Sequence, residues 1–272
     1  MPDYVIKTLS RLQHTPKVSP RYSLHAHIPI QYATKNTRQY ATATDTSPHL
    51  TPLEKTYIQS VTGIHLYYGH AIDHTIITAL NELSEQAQPT QNTKAKYQLL
   101  IEYVHTFPNA YTRYYTGDMI LHIDRDDAYF VGLKECRRVA GYFHLSDHLI
   151  IAEHPKLNGA IFVERKTLRH VLSSAAKTEV AGIFHNARIG IPIRNLLHAL
   201  QHPQPPTPIK IDNSIATGFI HNSIHQKRSK SWDMRYHWLR NPQTKKQFRF
   251  YWDKGTNNNA DYFTNHYVQG LT

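Results

Sequence analysis

Cysteine is nearly absent from this 272-residue chain, in which Cys136 is the single thiol. One cysteine excludes a disulfide framework and any cysteine-cluster zinc site. Long apolar runs are absent too, since no stretch approaches the roughly 20 apolar residues that span a bilayer. The opening segment, Met1-Pro2-Asp3-Tyr4, does not begin a signal peptide. These absences predict a protein of a reducing compartment, cytoplasmic or nuclear, that is not secreted and has no membrane partner.

The signatures of several enzyme classes are also missing. No glycine-rich phosphate loop occurs, so nothing in the sequence indicates nucleoside triphosphate hydrolysis. No Gly-x-Ser-x-Gly elbow occurs, and Ser173-Ser174 is better interpreted as a helix cap than as a hydrolase nucleophile. Cys136 lies among lysine and arginine residues but has no partner histidine pattern, which favours a passive thiol.

What the chain does carry is basic charge, with 31 Lys and Arg residues against 20 Asp and Glu residues and a formal net charge of +11. Residues 227–254 hold nine of the basic residues, two acidic ones and seven aromatic ones. A basic and aromatic stretch is typical of binding to a polyanion with stackable bases. A solvated charged face is the alternative. The predicted phosphate contacts are the cations Lys227, Arg228, Lys230 and Arg235.

Hydrophobic periodicity divides the chain into two parts. Residues 1–52 are punctuated by proline and show little periodicity, which predicts extended or irregular chain. Apolar residues recur at helical spacing from Leu53 to Glu85 and again before Pro108, which predicts a small helical module. Beyond residue 115 the hydrophobic pattern becomes typical of β-strands. We therefore predict two domains, residues 1–115 and residues 116–272.

The second domain is predicted to contain, in chain order, three strands, a helix, a strand, a helix, a strand and a helix. Its strands are predicted at the apolar runs 119–123, 139–143, 160–163, 208–212 and 248–252. The long helix extends from Ser173 towards Leu200, with Pro192 expected to break or kink it. Two shorter helices are predicted at 229–239 and 259–266. This order is typical of an α/β fold whose mixed five-stranded sheet has three antiparallel strands followed by parallel ones.

Four carboxylates of the second domain are placed where they could meet. Asp124 closes the first strand and Asp212 ends the fourth. Glu179 lies in the long helix, and Asp261 opens the last helix. Ligands bind beyond the carboxyl ends of parallel strands in open α/β sheets, and carboxylates gathered there need hard divalent cations. Two Mg²⁺ ions, with Mn²⁺ as a substitute, would activate a water for phosphodiester hydrolysis. Any one of these carboxylates alone is more often a helix cap or a solvated turn residue.

Six short motifs follow one another along the second domain. They lie at residues 122–129, 138–145, 173–180, 212–214, 227–238 and 259–264. In this order they resemble the ribonuclease H domain that ends the polyprotein of copia-type LTR retrotransposons. In that family the first catalytic Asp is followed shortly by another acidic residue, as Asp124 is here. The resemblance implies a ribonuclease H-like fold, with Asp124, Glu179, Asp212 and Asp261 as catalytic residues and metal ligands.

Residues upstream are similar to the same family. Residues 45–48, 59–68 and 71–73 resemble the segment that follows the palm of the reverse transcriptase region, so residues 1–115 are interpreted as a remnant of its thumb or connection. The Tyr-x-Asp-Asp motif of a polymerase does not occur in the chain. The resemblance therefore implies a chain that does not polymerise DNA by itself and whose partner is the polymerase part of the parent polyprotein.

The activity that the resemblance implies is metal-dependent hydrolysis of the RNA strand of RNA–DNA hybrids. An RNA–DNA hybrid, or another nucleic acid, is accordingly the expected partner. The alternative is a catalytically inactive retroelement remnant that binds nucleic acid or has no activity, and Lys177, a cation two residues before Glu179, motivates it. A third hypothesis is an integrase core of the same fold. It is disfavoured because an integrase would place its Glu after the second Asp.

Overall fold

The structure is a computed structural model, and it describes residues 3–15, 19–24, 45–128, 137–148, 158–168, 175–211, 220, 238–253 and 258–264. The chain divides into two compact units between Thr112 and Arg113, slightly before the boundary expected after residue 115. Within the described ranges, no helix combines the length and apolar character needed to cross a membrane.

The first unit is helical. Its elements are α1 (Tyr4–Arg11), α2 (Pro52–Ala71), a 3-10 helix (His74–Ile76), α3 (Ile77–Ser84) and α4 (Gln91–Thr106). Helix α2 begins at a capping box, in which the Thr51 hydroxyl accepts from the Glu54 N–H and the Glu54 carboxylate accepts from the Thr51 N–H. The helical module predicted between residues 53 and 107 is therefore confirmed.

Helix α1 was not expected. The sequence predicts irregular chain over residues 1–52, and this prediction is wrong at Tyr4–Arg11. Val5 and Leu9 lie four residues apart, so both fall on one helix face and are buried in the core of the first unit. Tertiary packing of these two side chains stabilises the helix. Its apolar repeat is too short to be recognised in the sequence.

The second unit contains a five-stranded mixed sheet. Its elements are β1 (Ile120–Ala128), β2 (Arg137–Ser146), β3 (Ala160–Leu168), α5 (Ala175–Ala199), β4 (Thr207–Ile211), α6 (Arg240–Thr244), β5 (Phe248–Trp252) and α7 (Asp261–Thr264). The strand order is β3-β2-β1-β4-β5. β1, β2 and β3 pair antiparallel, whereas β4 runs parallel to β1 and β5 runs parallel to β4. The predicted α/β fold class is confirmed.

Two local predictions differ from the structure, and a third concerns residues that the structure mostly does not describe. Strand β1 does not end near Asp124 but continues to Ala128, because its charged residues remain paired with β2. Pro192 lies inside α5 without ending it, since Ile189 and Ile193 on either side pack against the core and hold the helix. The helix expected at 229–239 lies outside the described residues except for Trp238 and Leu239.

Helix α5 covers one face of the sheet. Every second residue of a strand points to this face, which is apolar and includes Ile123, Phe143 and Ile209. These side chains belong to the same core as Val180 and Ile183 of α5. The opposite face of the same strands carries polar and charged side chains, which are described below.

Two glycines of helix α5 lie close to β1. A Cβ placed on Gly190 would lie 2.8 Å from Ile123 Cδ1, and a Cβ placed on Gly182 would lie 2.6 Å from Asp127 Oδ2. Both glycines therefore let the helix backbone sit against β1. At Gly182 the neighbour is a short, buried carboxylate that has little freedom to move away.

Gly182→Ala is expected to lower the free energy of unfolding of the second unit by about 1–3 kcal/mol, because the added methyl group overpacks the contact with Asp127. Tryptophan fluorescence during urea unfolding measures this loss of stability, since all three tryptophans of the chain lie within the second unit. In the control Gly63→Ala nothing lies within 4 Å of the new Cβ. This control should stabilise α2 by about 0.5–1 kcal/mol by circular dichroism. A Gly182→Ala variant as stable as the wild type would contradict the contact.

Candidate functional site

Strand β1 buries four consecutive charged residues in the middle of the sheet. Asp124, Arg125 and Asp126 are 4%, 0% and 9% exposed, and the Asp127 side chain is 1% exposed. Successive side chains of a strand point to opposite faces of its sheet. Asp124 and Asp126 therefore share one face, and Arg125 and Asp127 share the face covered by α5.

The segment that carries α7 covers the face of Asp124 and Asp126. The Asn259 side-chain amide donates to Asp124 Oδ2 at 2.6 Å, and the Thr264 hydroxyl donates to Asp126. The neighbouring Asn258 amide donates to the backbone carbonyl of Arg125 at 2.7 Å. These three bonds fix residues 258–264 on β1. The predicted site residue Asp261 begins α7 between them.

Further polar groups surround Asp124 on this face. His144 of β2 places its Nε2 4.0 Å from Asp124 Oδ2, and the rings of His122 and His144 are 5.4 Å apart. Lys210 of β4 is buried and makes an ion pair with Asp253 at 3.1 Å. Lys210 also attracts the Asp124 carboxylate electrostatically.

Burial sets the charge states of these groups. It raises the pKa of Asp124, against the opposing effects of Lys210 and the Asn259 hydrogen bond. Burial lowers the pKa values of His122 and His144 to about 4, so both rings are neutral near pH 7. Burial and the Asp124 charge raise the pKa of Tyr142 to about 12. Lys210 and the Asn259 hydrogen bond therefore stabilise the ionised form of Asp124 against the effect of burial.

The face covered by α5 is arranged differently. The Arg125 guanidinium contacts both Asp127 and Glu179 through the same nitrogen, Nη2. The Glu179 side chain is 13% exposed and the Arg125 side chain is fully buried. Glu179 and Asp127 thus share the positive charge of Arg125.

The expected meeting of Asp124 with Glu179 does not occur in the structure. Asp124 bonds to Asn259 on one face of the sheet, whereas Glu179 contacts Arg125 on the other. The physical reason is the alternation of β1, which separates neighbouring side chains by the thickness of the sheet. The sequence argument assumed that β1 ended near Asp124, where side chains of both faces can converge.

Asp212 lies outside the described residues, as do Lys227, Arg228, Lys230 and Arg235. Strand β4 is described up to Ile211 and pairs with β1 in the register Ile123 opposite Ile209. It therefore ends beside the charged part of β1. The assignment of Asp124, Glu179, Asp212 and Asp261 as metal ligands stays a prediction.

Sequence reasoning missed Asp126 as a candidate. Asp126 shares a face with Asp124, contacts Thr264 of α7 and lies level with the end of β4. The signal was present, because acidic residues at i and i+2 of a strand must point to the same face. It was not used because Asp124 was taken as the last residue of the strand.

The fit of divalent ions differs between the two faces. Asp124 and Asp126 place buried carboxylate oxygens on one face of the sheet, and such oxygens are the ligands that hard cations such as Mg²⁺ prefer. Glu179 lies on the other face, where its carboxylate contacts Arg125. Among the described residues, no group of three or more His, Cys, Asp or Glu side chains is placed to hold a metal ion.

No family model and no curated protein matches the chain. One similar solved structure is the N-terminal ribonuclease H domain of a Mycobacterium tuberculosis protein, solved as a fusion with maltose-binding protein. It is 10% identical, with a TM-score of 0.37, and the match covers 54% of this chain and 91% of that one.

A second similar structure is a foamy viral protease–reverse transcriptase in complex with double-stranded DNA. It is 12% identical, with a TM-score of 0.41, and the match covers 79% of this chain and 34% of that one. This chain thus matches about a third of the viral protein. The strand order and strand directions of the second unit are those of a ribonuclease H-like fold, whereas the copia-type assignment stays a prediction.

The buried histidines predict a specific pH dependence of stability. An unfolded histidine has a pKa near 6.5, whereas folding lowers the pKa of His144 to about 4. Only the unfolded state gains this proton as the pH falls from about 6.5 to about 4, so the free energy of unfolding decreases across that window. The raised pKa of Asp124 acts with the opposite sign.

His144→Phe is expected to make this decrease shallower, by up to about 1.4 kcal/mol per pH unit. Urea unfolding at several pH values, followed by tryptophan fluorescence, measures the free energy of unfolding of the wild type and of the variant. The opposing effect of Asp124 is present in both proteins. If the wild-type and variant curves run parallel between pH 4 and 6.5, His144 is not buried in its neutral form.

Proposed function

We propose that the second unit hydrolyses the RNA strand of RNA–DNA hybrids. The observation that carries this proposal is the pair of buried carboxylates, Asp124 and Asp126, on the central strand of a ribonuclease H-like sheet. Parallel strand β4 ends beside them and α7 begins with Asp261 against the same face. This is the edge at which open α/β sheets bind their ligands.

The proposal includes a divalent ion bound by carboxylates of this face. Asp124 and Asp126 would hold it together with Asp212 and Asp261, and Mg²⁺ or Mn²⁺ suits such oxygen ligands. When bound, the ion supplies an activated water and stabilises the leaving oxygen. The chain's own contribution is to fix the carboxylates, since Asn259 and Thr264 hold Asp124 and Asp126 by hydrogen bonds.

The substrate class follows from charge and from the resemblance described above. A net charge of +11 favours a polyanion. The 2′-hydroxyls of an A-like hybrid distinguish its RNA strand from DNA in a shallow minor groove. Lys227, Arg228, Lys230 and Arg235 are the proposed contacts to the phosphates.

A second candidate function is binding of nucleic acid without hydrolysis. The observation that favours it is the contact between Arg125 and Glu179, which removes one of the four predicted ligands from the site. Under this alternative, hybrid affinity is retained and divalent ions have no effect on it.

Asp126→Asn is expected to reduce cleavage of a labelled RNA–DNA hybrid by about 100-fold or more in Mg²⁺, because the amide carries no charge. Asp124→Asn should have a similar effect. Asp118→Asn is the matched control, since Asp118 is an exposed carboxylate just before β1, and it should cleave like the wild type.

Two results would decide against hydrolysis. Cleavage that is equally fast in Asp126→Asn, Asp124→Asn and the wild type would place the active residues elsewhere. A full chain that binds the hybrid but cleaves nothing in Mg²⁺ or Mn²⁺ would establish the second candidate instead.

Replacing Lys227 or Arg235 by Gln is expected to weaken hybrid binding by a similar factor for every hybrid sequence. Each lost phosphate contact should also reduce the slope of log K against log salt concentration by about 1. Fluorescence anisotropy at several salt concentrations measures both quantities. An unchanged salt slope would show that these cations form only a solvated face.

A further inference from the structure

Strand β2 places a buried histidine beside Asp124. The His144 side chain is 1% exposed, and within the part of the chain that the structure describes neither its Nδ1 nor its Nε2 atom has a hydrogen-bond partner. Nε2 lies 4.0 Å from Asp124 Oδ2, which is too long for a hydrogen bond. A buried polar group without a partner loses its hydration and gains nothing in return. The ring nitrogen that lies beside Asp124 is therefore suited to a ligand.

The ring of His144 is held by its neighbours. Its centre lies 5.4 Å from that of His122, the residue directly opposite on β1, and 5.6 Å from that of Tyr142. His122 is itself fixed, because its Nε2–H donates to the Asp147 carbonyl at 2.8 Å. Burial lowers the pKa of His144 to about 4, so one ring nitrogen carries a lone pair near pH 7. The structure thus presents a neutral imidazole to the Asp124 carboxylate.

Asn259 supplies a third polar group at the same carboxylate. Its side-chain amide donates to Asp124 Oδ2 at 2.6 Å. The same amide, when it is turned over, presents its carbonyl oxygen in place of its nitrogen. An imidazole nitrogen, a carboxylate oxygen and an amide oxygen are then available beside one another, and all three are metal ligands.

The distance between His144 and Asp124 is close to that of two atoms bound to one ion. Two ligands of a tetrahedral transition-metal ion lie about 3.4 Å apart. The observed 4.0 Å separation of Nε2 and Oδ2 exceeds this value only slightly. Small rotations of the two side chains are therefore enough to bring both atoms to one ion.

The charges of this face favour an ion that bonds to nitrogen. Lys210 attracts Asp124 and also pairs with Asp253 at 3.1 Å. The strand register places the buried Arg138 and Arg165 on the same face. Nearby positive charge weakens the electrostatic attraction that holds a hard ion such as Mg²⁺. Imidazole suits ions such as Zn²⁺, and the affinity of nitrogen ligands rises from Mn²⁺ to Co²⁺.

We infer that Asp124, His144 and Asn259 form a site for a divalent transition-metal ion, which they bind more tightly than Mg²⁺. His144 is the residue that determines this selectivity, because it supplies the nitrogen ligand. The inference rests on the proposed function, since it specifies the class of ion that binds at the same carboxylate.

Isothermal titration of the full chain with Co²⁺ and with Mg²⁺ tests the selectivity. The wild type should bind Co²⁺ at least about tenfold more tightly than Mg²⁺. His144→Phe keeps a ring of similar size and removes both nitrogens. It should weaken Co²⁺ binding by about tenfold or more and leave any Mg²⁺ binding within about twofold of the wild type.

His185→Phe is the matched control. His185 lies on α5, where its Nε2 is 3.1 Å from Glu164, and its replacement should leave Co²⁺ affinity within about twofold of the wild type. Equal Co²⁺ affinity in the wild type and His144→Phe, an equal loss in both histidine variants, or no Co²⁺ binding to the wild type would overturn the inference.

A gain of affinity provides a test that does not depend on the folding of His144→Phe. Asn259→Asp puts a charged oxygen ligand in the place of the amide, so it should tighten Co²⁺ binding by about tenfold or more. Asn195→Asp makes the same change of charge at an exposed position of α5 and should leave the affinity within about twofold of the wild type. An Asn259→Asp variant that binds Co²⁺ no more tightly than the wild type would overturn the inference.

Cleavage assays separate this inference from the proposed function. Hybrid cleavage that is lost in Asp126→Asn, together with Co²⁺ affinity that is unchanged in His144→Phe, would support hydrolysis and overturn the transition-metal site. Co²⁺ affinity that is lost in His144→Phe, in a chain that cleaves no hybrid, would support the site and overturn hydrolysis.

Discussion

Four charged residues in succession are buried on the central strand of the sheet, and the rest of the second unit is arranged to compensate for them. An ion removed from water must be paired or hydrogen-bonded, or it changes its protonation state. The alternation of β1 divides the four between two faces, so that two separate elements must supply partners. Helix α5 supplies Glu179 and the space at Gly182, and the α7 segment supplies Asn259 and Thr264.

The two faces differ in which groups provide this compensation. Behind α5, Arg125 provides positive charge within the same contact as Asp127 and Glu179. On the face of α7, Asp124 accepts from Asn259 and is attracted by Lys210, and Asp126 accepts from Thr264. The register of the strands places the buried Arg138 and Arg165 on this same face. The face of α7 is the one on which we propose that a divalent ion binds. Nucleic acid is the substrate class that we propose for this face.

The sequence predicted the sheet because its apolar runs are unambiguous: Ile123, Phe143 and Ile209 each lie on strands that the structure contains. It did not predict that β1 continues through charged residues, since cross-strand pairing with β2 cannot be read from β1 alone. Because the end of β1 was predicted too early, Asp124 was expected to lie close to Glu179. For the same reason Asp126 was not recognised as a candidate. The Arg125 contact was equally unpredictable, because it joins residues 54 positions apart.

The separation of the buried charges between the two faces of the sheet is tested most directly by two double-mutant cycles. They measure the free energy of unfolding by tryptophan fluorescence. Arg125→Met combined with Glu179→Gln should show a coupling energy of about 1–3 kcal/mol, as expected for residues in contact. Asp124→Asn combined with Glu179→Gln should be additive within about 0.5 kcal/mol. Strong coupling between Asp124 and Glu179, with none between Arg125 and Glu179, would contradict the separation of the buried charges between the two faces.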